Sequence, residues 1–136
     1  MNRLILIGYQ LLTGFSDSLT GALLIIAPEF TLRLMSLHTP ADALPFLSFI
    51  GAFVLSVGLA CLYGAWVVVR RKSPCKVEVV WLLTAITRAS VAIIVVTQIL
   101  AHTLEAGWLT VAATDGACVL IQAIGLRKGW LAHVAR

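Results

Sequence analysis

The sequence predicts an all-α membrane protein: a four-helix transmembrane bundle, antiparallel, forming one domain over residues 1–136, with a short interfacial helix between the first two spans. Three observations predict it. Hydrophobic residues make up 60% of the chain and charged residues 12%, against about 45–50% and 25% in soluble domains. Four apolar runs reach the roughly 20 residues that a spanning helix needs. The basic residues outside those runs gather almost entirely on one side. A soluble domain of 136 residues buries only about two-thirds of its chain surface, too little to hide so much Leu, Ile, Val and Ala.

The first run extends over residues 4–27. Arg3 precedes it, as in a signal peptide, but no small-residue cleavage site follows and the run continues past Asp17, so it reads as a retained helix. Pro28 and Pro40 bracket the next connection. Within it, a proline followed by Glu29 makes a good helix opening, and Glu29 and Arg33 stand at i, i+4 spacing. With Phe30, Leu32, Leu34 and Leu37 around them, this segment reads as a short amphipathic helix lying along the interface. The second run covers residues 44–69 and ends at Arg70-Arg71-Lys72-Ser73-Pro74. The third covers 77–101 and ends near Glu105-Ala106-Gly107; the fourth covers 108–126. Connections this short make successive helices antiparallel neighbours. There are no tandem short repeats or low-complexity tracts.

Orientation follows from the cations. Arg3, then Arg70, Arg71, Lys72 and Lys76, then Arg127, Lys128 and Arg136 fall on one side; Arg33 alone lies in a loop on the other. The positive-inside rule then places both termini and the central loop in the cytoplasm, in a multi-pass protein of a bacterial-type inner membrane. The formal net charge of +4 does not indicate nucleic acid, because the cations sit at helix ends without interleaved aromatics; anionic lipid headgroups account for them. Cys61, Cys75 and Cys118 show no CxxC spacing, and two of them lie within apolar runs as small packing residues.

Three ionisable residues fall deep inside runs: Asp17, Arg88 and Asp115. They stand 14, 10 and 12 residues from Arg3, Glu78 and Arg127, or roughly 21, 15 and 18 Å at the helical rise of about 1.5 Å. Similar depth lets them meet. A lone charge there costs at least about 2.5–3.5 kcal/mol, so each should turn inward and find a partner, with Arg88 between the two acids. Helical spacing agrees. Gln10, Thr13, Gly14, Asp17 and Gly21 share a face of the first helix; Trp81, Thr84, Arg88, Val91 and Val95 share one of the third; Val111, Asp115, Cys118 and Gln122 share one of the fourth. The second helix offers Ser48, Gly51, Leu55, Gly58 and Leu62 as a slim packing surface. The polar cluster expected to bind a ligand or hold the helices in register is therefore Asp17, Arg88 and Asp115 with Gln10, Thr84 and Gln122. Two acids against one base leave the cluster at −1 when all are ionised, which points to a shared proton or to a cationic or hydrogen-bonding guest.

Other signals are weaker. His38 and His102 fall on the outer side without metal-ligand spacing, and no metal site is expected. Trp66, Trp81, Trp108 and Trp130 sit near run ends, where an aromatic belt accounts for most of them. Gln98 and Gln122 read as helix-bridging amides. No catalytic triad, phosphate loop or metalloprotease motif is present, so no catalytic residue is assigned.

The stretch from Leu4 to Leu37, with Gly14, Pro28-Glu29 and Arg33-Leu34, followed by Gly51-Ala52-Phe53-Val54-Leu55-Ser56-Val57-Gly58-Leu59, resembles the small four-helix DoxX-like membrane proteins; so do Arg88 and Thr114-Asp115-Gly116. The resemblance covers most of the chain and rests on general features. It implies an accessory or ligand-binding subunit that works beside another membrane or peripheral redox protein, with a quinone-like or other lipophilic molecule as ligand. Arg88 would donate hydrogen bonds to that ligand while Asp17 and Asp115 hold the guanidinium. The lack of paired cysteines argues against direct thiol exchange. The alternative is a small proton-coupled multi-span transporter using the membrane-embedded Asp17, against which Arg88 at matching depth would repel cations. The oligomeric state stays open.

Overall fold

The computed structural model describes residues 2–70 and 74–131. Arg71, Lys72 and Arg136, part of the basic count above, lie outside the described residues. The chain is all-helical, with no strand among the described residues and five α-helices in order: α1 (Arg3–Ile26), α2 (Pro28–Leu34), α3 (Leu44–Val69), α4 (Pro74–Leu100) and α5 (Leu109–Arg127). Short 3-10 turns, Ala41–Ala43 and Ala106–Trp108, lead into α3 and α5. Three segments are long and apolar enough to cross a membrane: Ala41–Val69, Pro74–Leu100 and Ala106–Arg127. At 24 residues α1 is as long as a span, but Gln10, Thr13, Ser16, Asp17 and Ser18 dilute its apolar character.

Local chemistry explains the breaks. Ala27, at φ −142°, leaves the helical region, and Pro28 opens α2 where a missing N–H costs nothing. The Glu29–Arg33 pair closes at 2.7 Å on the exposed face of α2. Ser36 and His102 both take φ 56°, the left-handed step that reverses a chain after a helix. The start of α4 lies at Pro74, three residues before the expected Val77, because proline suits the first helical turn as well as it suits a linker. Arg3 donates to the carbonyls of Val68 and Val69 at 3.2 and 3.0 Å. It thereby satisfies acceptors that the end of α3 would otherwise leave unpaired.

The helices pack as two pairs, α1 with α3 and α4 with α5, joined where α3 meets α4. Glycine allows the first pair to close. A Cβ built on Gly21 would meet the backbone of Leu55 and stand 2.6 Å from the Gly51 carbonyl oxygen; one on Gly58 would stand 2.5 Å from the Ser18 amide nitrogen. Towards the 70–74 end, Leu6, Val67, Val68, Val77, Trp81 and Leu131 form an apolar plug. Towards the other end, Leu24, Leu32, Leu37 and Leu47 form a second, with Met35, Leu44 and Trp108 packed on it. Large apolar side chains such as Phe15, Phe46, Phe53, Ile93 and Leu120 stay more than half exposed, whereas Gln10, Thr84, Arg88 and Gln122 are buried. Polar groups inside and apolar groups outside suit a lipid solvent.

Candidate functional site

Between α1 and the α4–α5 pair the backbones stay apart. The Cα atoms of α1 stay more than 8 Å from those of α4 and of α5 throughout, so among the described residues α1 reaches that pair through side chains alone. Arg88 is the longest of these bridges. It projects from the same face of α4 as Trp81 and Thr84, and its side chain is 6% exposed. Its Nη1 donates to Asp115 Oδ1 of α5 at 2.5 Å, and its Nη2 donates to Asp17 Oδ2 of α1. The two carboxylates keep slightly more exposure, 18% for Asp17 and 15% for Asp115. A guanidinium offers parallel donors in a fixed fork, so it can hold two carboxylates at once where a lysine would offer a single point charge.

Two turns or less towards the 70–74 end lies a second polar level. Gln122 of α5 donates from Nε2 to Thr84 Oγ1 at 2.8 Å, and the Thr84 hydroxyl donates to the Val80 carbonyl at 2.7 Å. Gln10 of α1, fully buried, lays its amide against Gly64 of α3, where a Cβ would collide with it. The Tyr9 and Trp81 rings meet edge to face with centroids 5.5 Å apart. The benzo edge of Trp81 rests on Gly125 of α5, a position where any side chain would strike the indole.

Of the six residues singled out from the sequence, Asp17, Arg88 and Asp115 meet directly, and Thr84 and Gln122 meet each other. Gln10 lies at the lower level and makes no bond to Arg88. Sequence reasoning missed Tyr9; it placed Trp81 on the face of Arg88 while also counting it among the tryptophans near run ends, and the indole is fully buried. The signal for Trp81 was its i, i+7 spacing to Arg88, which puts both on one face; for Tyr9 there was none. Gln98, expected as a bridging amide, turns to the end of its own helix, where the Thr103 hydroxyl donates to it. His38 sits 4.0 Å from Glu105, joining the two loops at that end. No group of three His, Cys, Asp or Glu side chains that could hold a metal ion occurs among the described residues.

Comparison with protein-family models, curated proteins and solved structures finds no match. The chemistry of the site therefore rests on its own geometry. A base shared by two acids in a buried gap can do two things: receive a guest rich in hydrogen-bonding oxygens, or carry a proton on the surplus carboxylate. On the side of Arg88 away from the lower level, residues 89–100 of α4 contribute no buried residue, so the cluster stands at the foot of an apolar stretch that neighbouring helices cover incompletely.

Proposed function

We propose that the chain is a four-span membrane protein of DoxX-like type, with α1 as the remaining span and both termini cytoplasmic, acting as an accessory or ligand-binding subunit. Its ligand is a small lipophilic molecule with hydrogen-bonding oxygens, of the quinone type, seated at the Arg88 centre. One observation carries the reading: a guanidinium shared between Asp17 and Asp115 bridges a gap that the backbones leave open, beside the uncovered apolar stretch of α4. A polar head can reach the cluster while an apolar body lies along Val91 and Val95. Support for four antiparallel spans comes from the contact order of α1 and α3. Gly14 lies against Leu62, and Gly21 lies against Leu55 and Gly51, so the numbers fall along α3 as they rise along α1. Ligand pockets between helices of a bundle have this make-up, mostly apolar with a few convergent polar groups.

The test is a titration with a short-chain quinone, in nanodiscs, of protein whose Trp66, Trp108 and Trp130 are replaced by Phe, read by quenching of emission from the buried Trp81. Saturable quenching that Arg88→Lys weakens by about tenfold, the effect of losing one charge-assisted hydrogen bond, supports the reading. Quenching that rises linearly with quinone in the lipid, identical for wild type and Arg88→Lys, overturns it.

Proton-coupled transport is the second reading, and one observation favours it: the cluster holds one carboxylate more than its single guanidinium neutralises. Proteoliposomes carrying the wild type would then pass protons down an imposed gradient, and Asp17→Asn would stop them. Equal leak from wild type and Asp17→Asn excludes it.

A further inference from the structure

The lower polar level holds more hydrogen-bonding capacity than the protein itself uses. Gln10 is fully buried, and neither its Nε2 nor its Oε1 has a protein partner. The same is true of Nε1 of Trp81, Oε1 of Gln122 and Nε of Arg88, each buried. These atoms share one region: Gln10 packs on Gly64, beside which Val80 of α4 also lies, Gln122 bonds Thr84, and Tyr9 meets Trp81. Because the benzo edge of Trp81 presses on Gly125 of α5, its indole N–H points away from α5. Below this region the apolar plug of Leu6, Val67, Val68, Val77 and Leu131, which the Trp81 ring caps, closes the way; above it stands the Arg88 ion-pair centre.

We propose that this polar layer, formed by Gln10, Trp81, Thr84, Arg88 and Gln122, is a binding site for internal water. The chemistry of the lining selects the guest. Donors and acceptors are both present, which excludes a purely apolar occupant; no formal charge lies between the plug and Arg88, which excludes a bare ion. An organic headgroup needs a wide concave wall open to lipid or solvent, whereas Gln10, Trp81 and Gln122 are each fully buried. Water satisfies such scattered groups by making two to four bonds in little space. A bilayer interior offers no other solvent for them. The bound water joins the Arg88 centre to Gln122 in one hydrogen-bonded network, so its exchange with bulk runs past the ion-pair centre. This goes beyond the ligand reading and stands or falls independently of it.

Solid-state NMR of the full chain in liposomes tests the proposal by timing magnetisation transfer from water to the Trp81 indole proton, with the Val67 amide of the dry plug as reference. The expected transfer to Trp81 is at least about fivefold faster than to Val67, as buried-water contact demands, and Gln10→Met slows it while leaving the Arg88 guanidinium resonances in place. Should Gln10→Met fail to fold, Gln122→Met reads the same network from α5. Transfer to Trp81 no faster than to Val67 overturns the proposal, as does magnetisation reaching Trp81 from lipid acyl protons in place of water.

Discussion

At Arg88 one guanidinium serves two carboxylates from different helices, so its loss reaches three side chains at once. Removing one partner of a buried pair costs about 3–5 kcal/mol because the other charge is stranded, whereas replacing the whole set by apolar or neutral groups is often close to neutral. Arg88→Met is therefore expected to lower the unfolding free energy in bicelles by about that amount, and the triple variant Asp17→Asn, Arg88→Met, Asp115→Asn to recover most of it. Equal stability of the single and triple variants would show that the acids never depended on Arg88. The same triple variant separates glue from site: retained folding with lost quinone saturation assigns function to the cluster, and retained saturation assigns it to structure. Cys61 and Cys118 carry a second residue-scale expectation. Cys61 is buried and Cys118 half-buried, both as free thiols, so replacing both by Ala should leave folding intact at a cost of about 1 kcal/mol or less for small buried groups, read by the same unfolding assay. Loss of function in that double variant would revive a thiol role.

At the scale of the element, the approach of α1 to α3 depends on residues without side chains. Any Cβ at Gly21 or Gly58 meets backbone of the facing helix, which cannot turn aside. Gly21→Ala and Gly58→Ala are expected to cost about 1–3 kcal/mol each through overpacking. Gly8, on the same helix as Gly21, has open space around its Cβ position, so Gly8→Ala should be neutral within about 0.5 kcal/mol. Comparing the three in one unfolding series checks the packing; a Gly8→Ala as damaging as Gly21→Ala would refute the contact. The same series would show whether α1 is tied into the molecule by its glycines or by Asp17, since α1 has no close backbone neighbour in α4 or α5.

For the whole molecule, topology is the open quantity with the cheapest reporter. Cys75 is exposed at the start of α4 and lies beside the basic connection, while Cys61 and Cys118 are within helices. In a chain lacking Cys61 and Cys118, the orientation proposed from the cations requires that a membrane-impermeant maleimide label Cys75 in inverted vesicles and leave it untouched in intact spheroplasts. Labelling from the outside would reverse the orientation proposed for all four spans.

Much of this architecture is written in local composition. Helix lengths, the breaks at Ala27-Pro28 and after Leu100, and the need for Asp17, Arg88 and Asp115 to avoid lipid all follow from propensity and transfer cost, which act on each segment alone. Three long apolar helices and an all-helical chain were legible on those grounds; the status of α1 was less so, because its polar face lowers the hydropathy that marks a span. Only the tertiary structure decided which partner each polar group takes. Gln98 turned to Thr103 and not across to another helix, Gln122 found Thr84, and Trp81 went to the centre because Gly125 leaves room for its ring. The gap between α1 and the α4–α5 pair also appears only there. Periodicity tells which face of a helix is polar, but the distance between two faces depends on how small residues elsewhere let the other helices close, and no single segment carries that information.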